Sequence, residues 1–424
     1  MREMKDSGVE WIGTIPTNWK LNKIGTLYDE RSTKVNDSEY PPLSVTKQGI
    51  VPQLETAAKT DNGDNRKLIK KNDFVINSRS DRRGSCGISE YEGSCSLINT
   101  VLRPRKNMCN TYYGYVFRSE RFADEFYRWG NGIVNDLWST KWSNMKRIYI
   151  PSPTLDEQKR IADYLDEKCS KIDAIIKKQQ AVIEKLKAYK LSVITEAVTK
   201  GLNPDVKMKD SGVEWIGKIP YDWHISKIKN GTSKVGSGKT PKGGAEIYSE
   251  NGVLFLRSQN IYDEGLKLND PTYITPEIDE EMSNTRVFPG DVLLNITGGS
   301  IGRCCIFPEE IDHANVNQHV SILRVTNTLF TNEYLHYFWI SILGKRAIEQ
   351  YQTGGNREGM SADAIKNTPI PLPSIAEQNE IVKKLDSICQ WVENTIIQKT
   401  VIIEKIEVYK KSLIFEVITG KKEV

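Results

Sequence analysis

The sequence predicts a mixed α+β fold in which two α/β domains are separated by a long antiparallel two-helix coiled coil, with a pseudo-twofold internal repeat. Three observations lead to this prediction: a decapeptide that occurs twice, a second repeated block that closes each half, and a heptad-like apolar pattern that follows each closing block. A chain of 424 residues exceeds what one hydrophobic core usually organises. Two large repeated units are therefore expected.

The decapeptide MKDSGVEWIG occupies residues 4–13 and 208–217, an offset of 204 (208 minus 4). The closing block begins IPSPTLDEQ at Ile150 and IPLPSIAEQ at Ile370, an offset of 220 (370 minus 150). The stretch between the blocks is therefore 16 residues longer in the second half (220 minus 204). Shared ends indicate a shared frame, and different middles indicate two different targets. We divide the chain into two domains, each followed by a spacer helix: 1–153, 154–203, 204–373 and 374–424.

Each closing block opens a helix with the pattern Ser/Thr-x-x-Glu, at Thr154 to Glu157 and at Ser374 to Glu377. This is the capping-box pattern, in which the glutamate reaches back to the cap amide. Downstream, apolar residues recur at spacings of three and four without glycine or proline, as in a coiled-coil seam. The predicted seam residues are Ile161, Leu165, Ile172, Ile175, Val182, Leu186, Tyr189 and Val193, then Ile381, Leu385, Ile388, Val392, Ile402, Ile406, Tyr409 and Leu413.

Connectivity predicts that the two helices are antiparallel. The first helix leads into a turn sequence, GLNP at 201–204, and then into the second copy of the frame. Pseudo-twofold symmetry of the two halves then sets the helices antiparallel. Polar residues interrupt both seams, at Gln179 and Lys399, and such breaks usually fix register at a cost in stability. The alternative is that each helix simply packs on its own domain.

Composition restricts the class of protein without identifying it. Charged residues make up 27% of the chain and hydrophobic residues 38%, with no apolar run near the ~20 residues that span a bilayer. No apolar secretory signal opens the chain, so a cytoplasmic protein without membrane partners is expected. Seven scattered cysteines support neither a disulfide framework nor a zinc site, and Cys169 and Cys389 fit as small helix-packing residues. The net charge of +4 is too mild to indicate nucleic acid by itself.

Three repeated motifs make the chain resemble the specificity subunit of type I restriction-modification enzymes. They are SGVEWIGxIPxxW from Ser7 and Ser211, IPxPxxxEQ from Ile150 and Ile370, and YKxSxIxE from Tyr189 and Tyr409. The resemblance covers essentially the whole chain. It implies two target-recognition domains on an antiparallel helical spacer, reading a bipartite site in double-stranded DNA with a non-specific gap.

The same resemblance implies that the chemistry lies elsewhere. Two modification subunits would methylate adenine and restriction subunits would cleave, using S-adenosylmethionine, ATP and Mg²⁺ that this chain does not bind. Three internal candidates for chemistry also fail by residue type. VGSGKTPKGG from Val235 lacks the P-loop spacing, Asn295-Ile-Thr-Gly lacks the prolines and aromatic of an amino-methyltransferase, and Lys159 of a possible nuclease pair is Asn379 in the other copy. No catalytic or metal residue is predicted.

The DNA contacts are expected in the variable middles. DFVINSRSDRRGSCGI from Asp73 and DVLLNITGGSIGRCCI from Asp291 both predict a strand, a polar glycine-containing loop with arginine, and a second strand. Arginine suits guanine edges or phosphates, and amide side chains pair with adenine. For any single residue, an ordinary solvated loop is about equally well supported. The candidates are Lys47, Gln48, Arg79, Arg82, Arg83, Asn131, Lys141, Lys239, Lys242, Arg257, Gln259, Asn260, Asn295, Arg303, Asn356 and Arg357.

The frame contributes four tryptophans, Trp11, Trp19, Trp215 and Trp223, with two possible roles. They pack the repeated N-terminal segment against the neighbouring domain, or they bind two copies of a modification subunit through symmetric sites. Two other functions compete with DNA specificity. One is a coiled-coil scaffold that holds two protein partners apart without reading DNA, and the other is a self-contained nuclease.

Overall fold

The computed structural model describes residues 2–53, 63–132, 138–243, 247–351 and 359–424. Asn356 and Arg357 lie outside these described residues. The chain forms two compact units, one of Met1–Gln180 with Thr400–Val424 and the other of Ala181–Lys399. We call them unit 1 and unit 2. Each long helix contributes one part to each unit.

The elements follow the predicted repeat of strand-rich middles and long closing helices. The strands of unit 1 are β1 Met4–Asp6, β2 Thr14–Pro16, β3 Lys20–Lys23, β4 Tyr28–Glu30, β5 Lys34–Val35, β6 Leu43–Thr46, β7 Gly49–Pro52, β8 Arg66–Ile69, β9 Phe74–Asn77, β10 Cys86–Ile88, β11 Gly93–Cys95, β12 Asn99–Pro104 and β13 Tyr149–Ser152. Those of unit 2 are β14 Met208–Asp210, β15 Lys218–Pro220, β16 His224–Lys227, β17 Thr232–Ser237, β18 Val253–Leu256, β19 Ile261–Tyr262, β20 Gly265–Leu266, β21 Tyr273–Ile274, β22 Arg286–Val287, β23 Val292–Asn295, β24 Cys304–Ile306, β25 Ala314–Val316, β26 Val320–Val325 and β27 Pro369–Leu372. The helices are α1 Ile24–Leu27, α2 Asn110–Arg118, α3 Glu120–Arg128, α4 Trp142–Met145, α5 Leu155–Lys200, α6 Pro276–Glu281, α7 Asn332–Ile340, α8 Ile342–Tyr351, α9 Ala362–Asn367 and α10 Ile375–Ile418. This content confirms the predicted mixed fold.

Equivalent sheets carry the variable middle of each unit. Unit 1 has a four-stranded antiparallel sheet in the order β10-β9-β12-β4, and unit 2 has one in the order β17-β26-β23-β24. Beside these lie a three-stranded sheet, β11-β8-β5, and a four-stranded sheet, β21-β18-β25-β22. The hairpin of β9 and β10 matches that of β23 and β24, each with a short 3-10 turn between its strands, so the predicted strand–loop–strand pair is confirmed.

The turn entering each of these hairpins shows how the repeat keeps a geometry while it changes the residues. Asn72 and Gly290 both have positive φ, 75° and 83°, a conformation favoured by asparagine and glycine. The aspartate that follows accepts a backbone N–H in each case, at 2.9 Å. Each aspartate also pairs with an arginine, and the two arginines are not at equivalent positions: Arg31, which pairs with Asp73, follows β4, and Arg324, which pairs with Asp291, lies in β26. The two halves therefore share the geometry of this turn, while the arginine that pairs with its aspartate comes from a different position in each half.

The starts of the long helices correct the capping-box prediction. Ser374 Oγ accepts from Glu377 N at 3.2 Å, but the glutamates serve another purpose. Trp19 Nε1 donates to Glu157 at 3.0 Å, and Trp223 Nε1 donates to Glu377 at 3.0 Å. A buried indole N–H needs a partner, and the helix start supplies one. The repeated glutamate therefore fastens the repeated tryptophan.

Within each unit, α5 and α10 run antiparallel, as predicted. In unit 1, Tyr112 Oη lies 2.9 Å from the Ile418 carbonyl and 3.3 Å from that of Pro151, which places the end of α10 beside the start of α5. Farther along the same pair, Lys410 contacts Asp173 at 2.6 Å. In unit 2, Tyr334 Oη lies 2.9 Å from the Pro371 carbonyl and 3.4 Å from that of Val198.

The seam is a heptad repeat, but five of its sixteen predicted positions lie one residue later than predicted. Ile175, Val182 and Tyr189 are exposed, and the adjacent residues Ile176, Ile183 and Lys190 are partly buried instead. In α10, Ile402 and Tyr409 are likewise exposed, while Ile403, Ile406 and Lys410 are partly buried. Cys169 and Cys389 are buried on this face, which confirms their packing role.

Lysines in the seam explain the shift at Tyr189 and Tyr409. Lys190 Nζ pairs with Glu393 at 2.6 Å, and Lys410 pairs with Asp173 at the same distance. A lysine can bury its aliphatic stem while its ammonium reaches a carboxylate at the edge. A pattern based on apolar residues therefore chooses the neighbouring tyrosine at both places.

Replacing Tyr112 with phenylalanine is expected to destabilise unit 1 by about 1–2 kcal/mol, because the hydroxyl is buried and its carbonyl acceptors lose a donor. Tyr334→Phe should cost unit 2 a similar amount. Both values come from chemical unfolding curves followed by circular dichroism. Tyr91→Phe, at a site 42% exposed, is the matched control and should change stability by less than about 0.5 kcal/mol.

Candidate nucleic-acid interface

Unit 1 contains an open basic cleft, defined by Lys67, Arg79, Lys141 and Lys146. Its volume is about 640 Å³, and Glu30 is the acidic residue in its lining. Lys67 pairs with Glu30 at 3.3 Å, while Arg79, Lys141 and Lys146 are exposed. Cationic side chains that line one concave surface suit a phosphate backbone and the guanine edge. We call this surface the basic cleft.

Backbone pairing brings residues distant in sequence together at this cleft. Arg79 follows β9, and its amide donates to Asn77 Oδ1 at 3.0 Å. The Thr140 amide donates to the Ser78 carbonyl at 2.9 Å, and Asn131 exchanges two backbone hydrogen bonds with Ser139. The structure thereby brings together two of the predicted groups, the arginine loop after β9 and the segment before the closing block.

The other two arginines of the loop have carboxylate neighbours. Arg82 lies 3.5 Å from Asp81, and Arg83 pairs with Asp124 on α3. Both side chains remain largely exposed, 68% and 49% respectively. The charges of Arg82 and Arg83 are therefore partly offset before any ligand binds. Arg79 is the arginine of this loop that lines the basic cleft.

Lys47 and Gln48 form the two-residue turn between β6 and β7, and both are exposed. The predicted counterpart in unit 2, 257–260, follows β18. β6 and β18 occupy equivalent places in their units. Pro42, just before β6, forms a parallel β-bridge with Ser94 of β11, and β18 pairs in parallel with β25. The chain then diverges, because a 3-10 turn at Ser258–Asn260 replaces the tight hairpin.

In unit 2, the amides of Asn260 and Asn295 are buried and engaged within the protein. Asn260 accepts from the Arg257 amide at 2.9 Å and donates to the Lys267 carbonyl at 3.0 Å. Asn295 Nδ2 donates to the Ser258 carbonyl at 2.8 Å. At 4% and 0% exposure, these two side chains support loops and present no polar edge to a base in this conformation.

The remaining unit 2 candidates lie at the surface. Lys239, Lys242 and Gln259 are exposed, and Arg257 is partly buried. The Arg303 guanidinium stacks 4.4 Å from the centre of the Tyr262 ring, which also lies 3.8 Å from Lys267 Nζ. Cation–π contact with a shared ring holds two positive charges close together at this surface.

Several residues were not predicted from the sequence. Lys67 and Lys146 line the basic cleft, and Gln318 and His319 occupy the turn between β25 and β26 in unit 2. Lys67 lies in β8 and Lys146 directly follows α4, with no local motif to mark either. Among the described residues, no cluster of His, Cys, Asp and Glu is placed to hold a metal.

The frame tryptophans lie mostly inside the protein. Trp19 and Trp223 are 1% and 2% exposed, and Trp11 packs edge-on against Phe122 at 5.7 Å. These contacts support the packing role and leave those three rings unavailable to a partner in this conformation. Trp215 alone of the four is partly exposed, at an open groove with Val213 and Tyr351. Within the described residues, no helix has the length and apolar character to cross a bilayer.

Comparison with known proteins gives one consistent match. The family model described as "Type I restriction modification DNA specificity domain" matches residues 17–185 and 220–407. A protein of Methanocaldococcus jannaschii, named as the putative type I restriction enzyme MjaX specificity subunit, is 25% identical, over 97% of this chain and 96% of that protein. The Escherichia coli type I restriction enzyme EcoBI specificity subunit is 27% identical, over 58% of this chain and 52% of that protein.

Solved structures share the fold at low identity. A chain from work described as "Structural basis underlying complex assembly and conformational transition of the type I R-M system" has a TM-score of 0.73 at 14% identity, covering 96% of this chain and 99% of that one. The HsdS subunit of Thermoanaerobacter tengcongensis has a TM-score of 0.53 at 14% identity, covering 96% and 98%.

Proposed function

Because this chain belongs to the type I restriction-modification DNA specificity family, we propose that it reads a bipartite target in double-stranded DNA, with one half-site for each unit. Its relatives are specificity subunits, so DNA target recognition within a type I system is its role, and catalysis belongs to other subunits. The proposal extends this role to a site of two blocks separated by a gap of fixed length.

One observation carries the proposal: equivalent loops of the two units present different chemistry. Arg79 forms an isolated antiparallel β-bridge with Ser139 in unit 1, and Thr297 forms one with Gly359 in unit 2. These are equivalent pairs of the repeat, since Thr297 follows Arg79 by 218 residues (297 minus 79) and Gly359 follows Ser139 by 220 (359 minus 139). A cation stands at one position and a neutral hydroxyl at the other. Two readers on one frame, with different side chains at matched places, suit two different half-sites.

The proposal assigns each segment a role. Residues 1–153 and 204–373 are the two recognition domains, and 154–203 and 374–424 are spacers that fix the gap. The helices they contain have 46 and 44 residues, or about 69 and 66 Å at 1.5 Å per residue. Two modification subunits would methylate adenine and restriction subunits would cleave, with S-adenosylmethionine, ATP and Mg²⁺ bound by those partners. A DNA target places the whole assembly in the cytoplasm.

The proposed contacts in unit 1 are the basic cleft and its neighbours, Lys47, Gln48, Arg79, Arg82, Arg83, Asn131 and Lys141. Those in unit 2 are Lys239, Lys242, Arg257, Gln259 and Arg303, with Asn356 and Arg357 proposed on sequence alone. Asn260 and Asn295 are assigned to loop support. For partner binding, the partly exposed Trp215 is the retained candidate, and Trp11, Trp19 and Trp223 are assigned to packing.

Selection from randomised duplex DNA tests this proposal. The full chain, alone and assembled with its modification subunits, is bound to a random library at physiological salt, and the retained duplexes are sequenced. We expect two short defined blocks at one constant separation. Retention of all sequences alike would contradict DNA specificity and would favour the scaffold, because salt-dependent phosphate contacts alone carry no sequence preference.

A further inference from the structure

Four side chains of unit 2 form a continuous hydrogen-bond relay at one end of its sheets. The Thr240 hydroxyl donates to Gln318 Oε1, and Gln318 Nε2 lies 3.1 Å from His319 Nε2. His319 Nδ1 lies 2.6 Å from Thr297 Oγ1. The relay joins three chain segments: the loop after β17, the turn between β25 and β26, and the loop after β23.

The bond directions along the relay follow from the chemistry of the amide. In the amide orientation of this structure, Gln318 Nε2 faces His319 Nε2, and an amide nitrogen only donates, so the matching imidazole tautomer accepts at Nε2 and carries its proton on Nδ1. Nδ1 then donates to Thr297 Oγ1. Oε1 of the same amide accepts from Thr240, so both ends of the Gln318 amide have a partner in the relay.

The backbone beneath the relay is pinned as well. The His319 amide donates to Asn317 Oδ1 at 3.1 Å, and the Asn317 amide donates to the Leu256 carbonyl at 3.0 Å. The Lys239 amide donates to the Val316 carbonyl at 3.0 Å. Only glycine fits before it, since a Cβ on Gly238 would lie 2.0 Å from the Val316 carbonyl oxygen. The relay therefore rests on a rigid turn.

Despite these bonds, Gln318 is exposed and retains half of its hydrogen-bonding capacity. An amide carries two N–H donors and two lone pairs, and the relay uses one of each. One donor and one acceptor therefore remain at the surface. A glutamine that offers this pair matches N7 and N6 of adenine in the major groove. Because the relay already orders the side chain, binding would cost less rotamer entropy than it would for a freely rotating glutamine.

A glycine beside the relay leaves room for a ligand. Gly299 is exposed and lies in the loop after Thr297. A Cβ there would meet nothing within 4 Å, and unlike Gly298 its φ is not positive. Neither packing nor backbone conformation within the protein requires glycine at this position. The missing Cβ leaves space for the close approach of an external surface.

The equivalent place in unit 1 has no such relay. At an offset of 221 (318 minus 97, 319 minus 98), Gln318 and His319 correspond to Leu97 and Ile98, and Leu97 lines the basic cleft with Arg79. The turns before β12 and β26 are therefore equivalent, but the first lies on a cationic and apolar surface and the second bears an exposed amide.

We propose that Gln318, held by Thr240, His319 and Thr297, is the side chain with which unit 2 reads an adenine in its half-site. The inference rests on the proposed DNA-reading function and specifies one base class for one unit. Lys239, exposed beside the relay, supplies a neighbouring phosphate contact.

The test repeats the selection from randomised duplex DNA with the full chain carrying Gln318→Ala or Gln318→Glu. Gln318→Ala should lose the preference for adenine at one position of one block and weaken binding to the wild-type sequence by about 5- to 150-fold. Gln318→Glu should move that preference toward cytosine, whose N4 amino group donates to a carboxylate. The other block and the gap should be unchanged. Gln390→Ala, at an exposed position of α10, is the matched control and should select the wild-type motif.

The outcomes separate the inference from the proposed function. If the wild-type chain selects no motif, the proposed function fails. If it selects a bipartite motif and both Gln318 variants select the same motif with the same affinity, the function stands and the assignment of Gln318 is overturned. Because Gln318 is exposed, we expect both variants to keep the wild-type melting temperature. An unchanged melting temperature would show that a changed motif is not caused by unfolding.

Discussion

Replacing Trp19 with alanine is expected to lower the free energy of unfolding of unit 1 by about 3–5 kcal/mol, the range for a large buried aromatic. Trp19 is 1% exposed, and its indole N–H reaches Glu157 at the start of α5. The other carboxylate oxygen of Glu157 contacts Arg2. Removing the ring would leave a cavity and deprive a buried carboxylate of a donor.

Chemical denaturation followed by circular dichroism measures this loss, and Trp223→Ala should produce a similar loss in unit 2. Trp391, 56% exposed on α10, provides the matched control, because Trp391→Ala should change stability by less than about 0.5 kcal/mol. Trp19→Phe keeps a ring and loses only the N–H, so its cost should be intermediate, about 1–3 kcal/mol. Equal stability of Trp19→Ala and Trp391→Ala would contradict the assigned packing role.

Replacing Arg79 with alanine should weaken binding to the selected duplex by about 1–3 kcal/mol, or 5- to 150-fold, and relax one position of one block. Arg79 is exposed at the basic cleft, where Lys141 and Lys146 add positive charge. Lys141→Ala should instead weaken all sequences alike and reduce the slope of log affinity against log salt by about 0.9. The two residues thus separate base reading from backbone binding.

Affinities for the selected and a scrambled duplex, measured across a salt series, distinguish these effects. Arg103 is the control, since it is 60% exposed and pairs with Asp29 at 3.4 Å in the same unit. If Arg79→Ala and Arg103→Ala give the same affinity, salt slope and base preference, the basic cleft is not the reading surface of unit 1.

The sequence is most informative where the repeat constrains both copies. Three features follow from residues that recur at fixed offsets: the hairpins of β9 with β10 and of β23 with β24, the antiparallel course of the helices in each unit, and the buried Cys169 and Cys389. Such features are shared by the two halves and therefore stand out against the variable middles.

Features that depend on tertiary partners could not be predicted. Lys190 replaces Tyr189 in the seam because Glu393 lies within reach of its ammonium. The glutamate of the helix-start motif matched a local capping rule, while its partner is an indole 138 residues away. Gln318 becomes a candidate reader only when Thr240 and Thr297, distant in sequence, meet at its turn. A local sequence pattern does not show which distant residues lie next to each other in the fold.

Mapping methylated adenines in a genome that carries this chain and its modification subunits tests the central claim most directly. We expect methylation at a single motif of two defined blocks with one fixed gap, lost when the chain is deleted, and altered in one block only by Arg79→Ala. Methylation at a continuous motif, or an unchanged pattern in the absence of the chain, would contradict the assignment of DNA specificity to its two units.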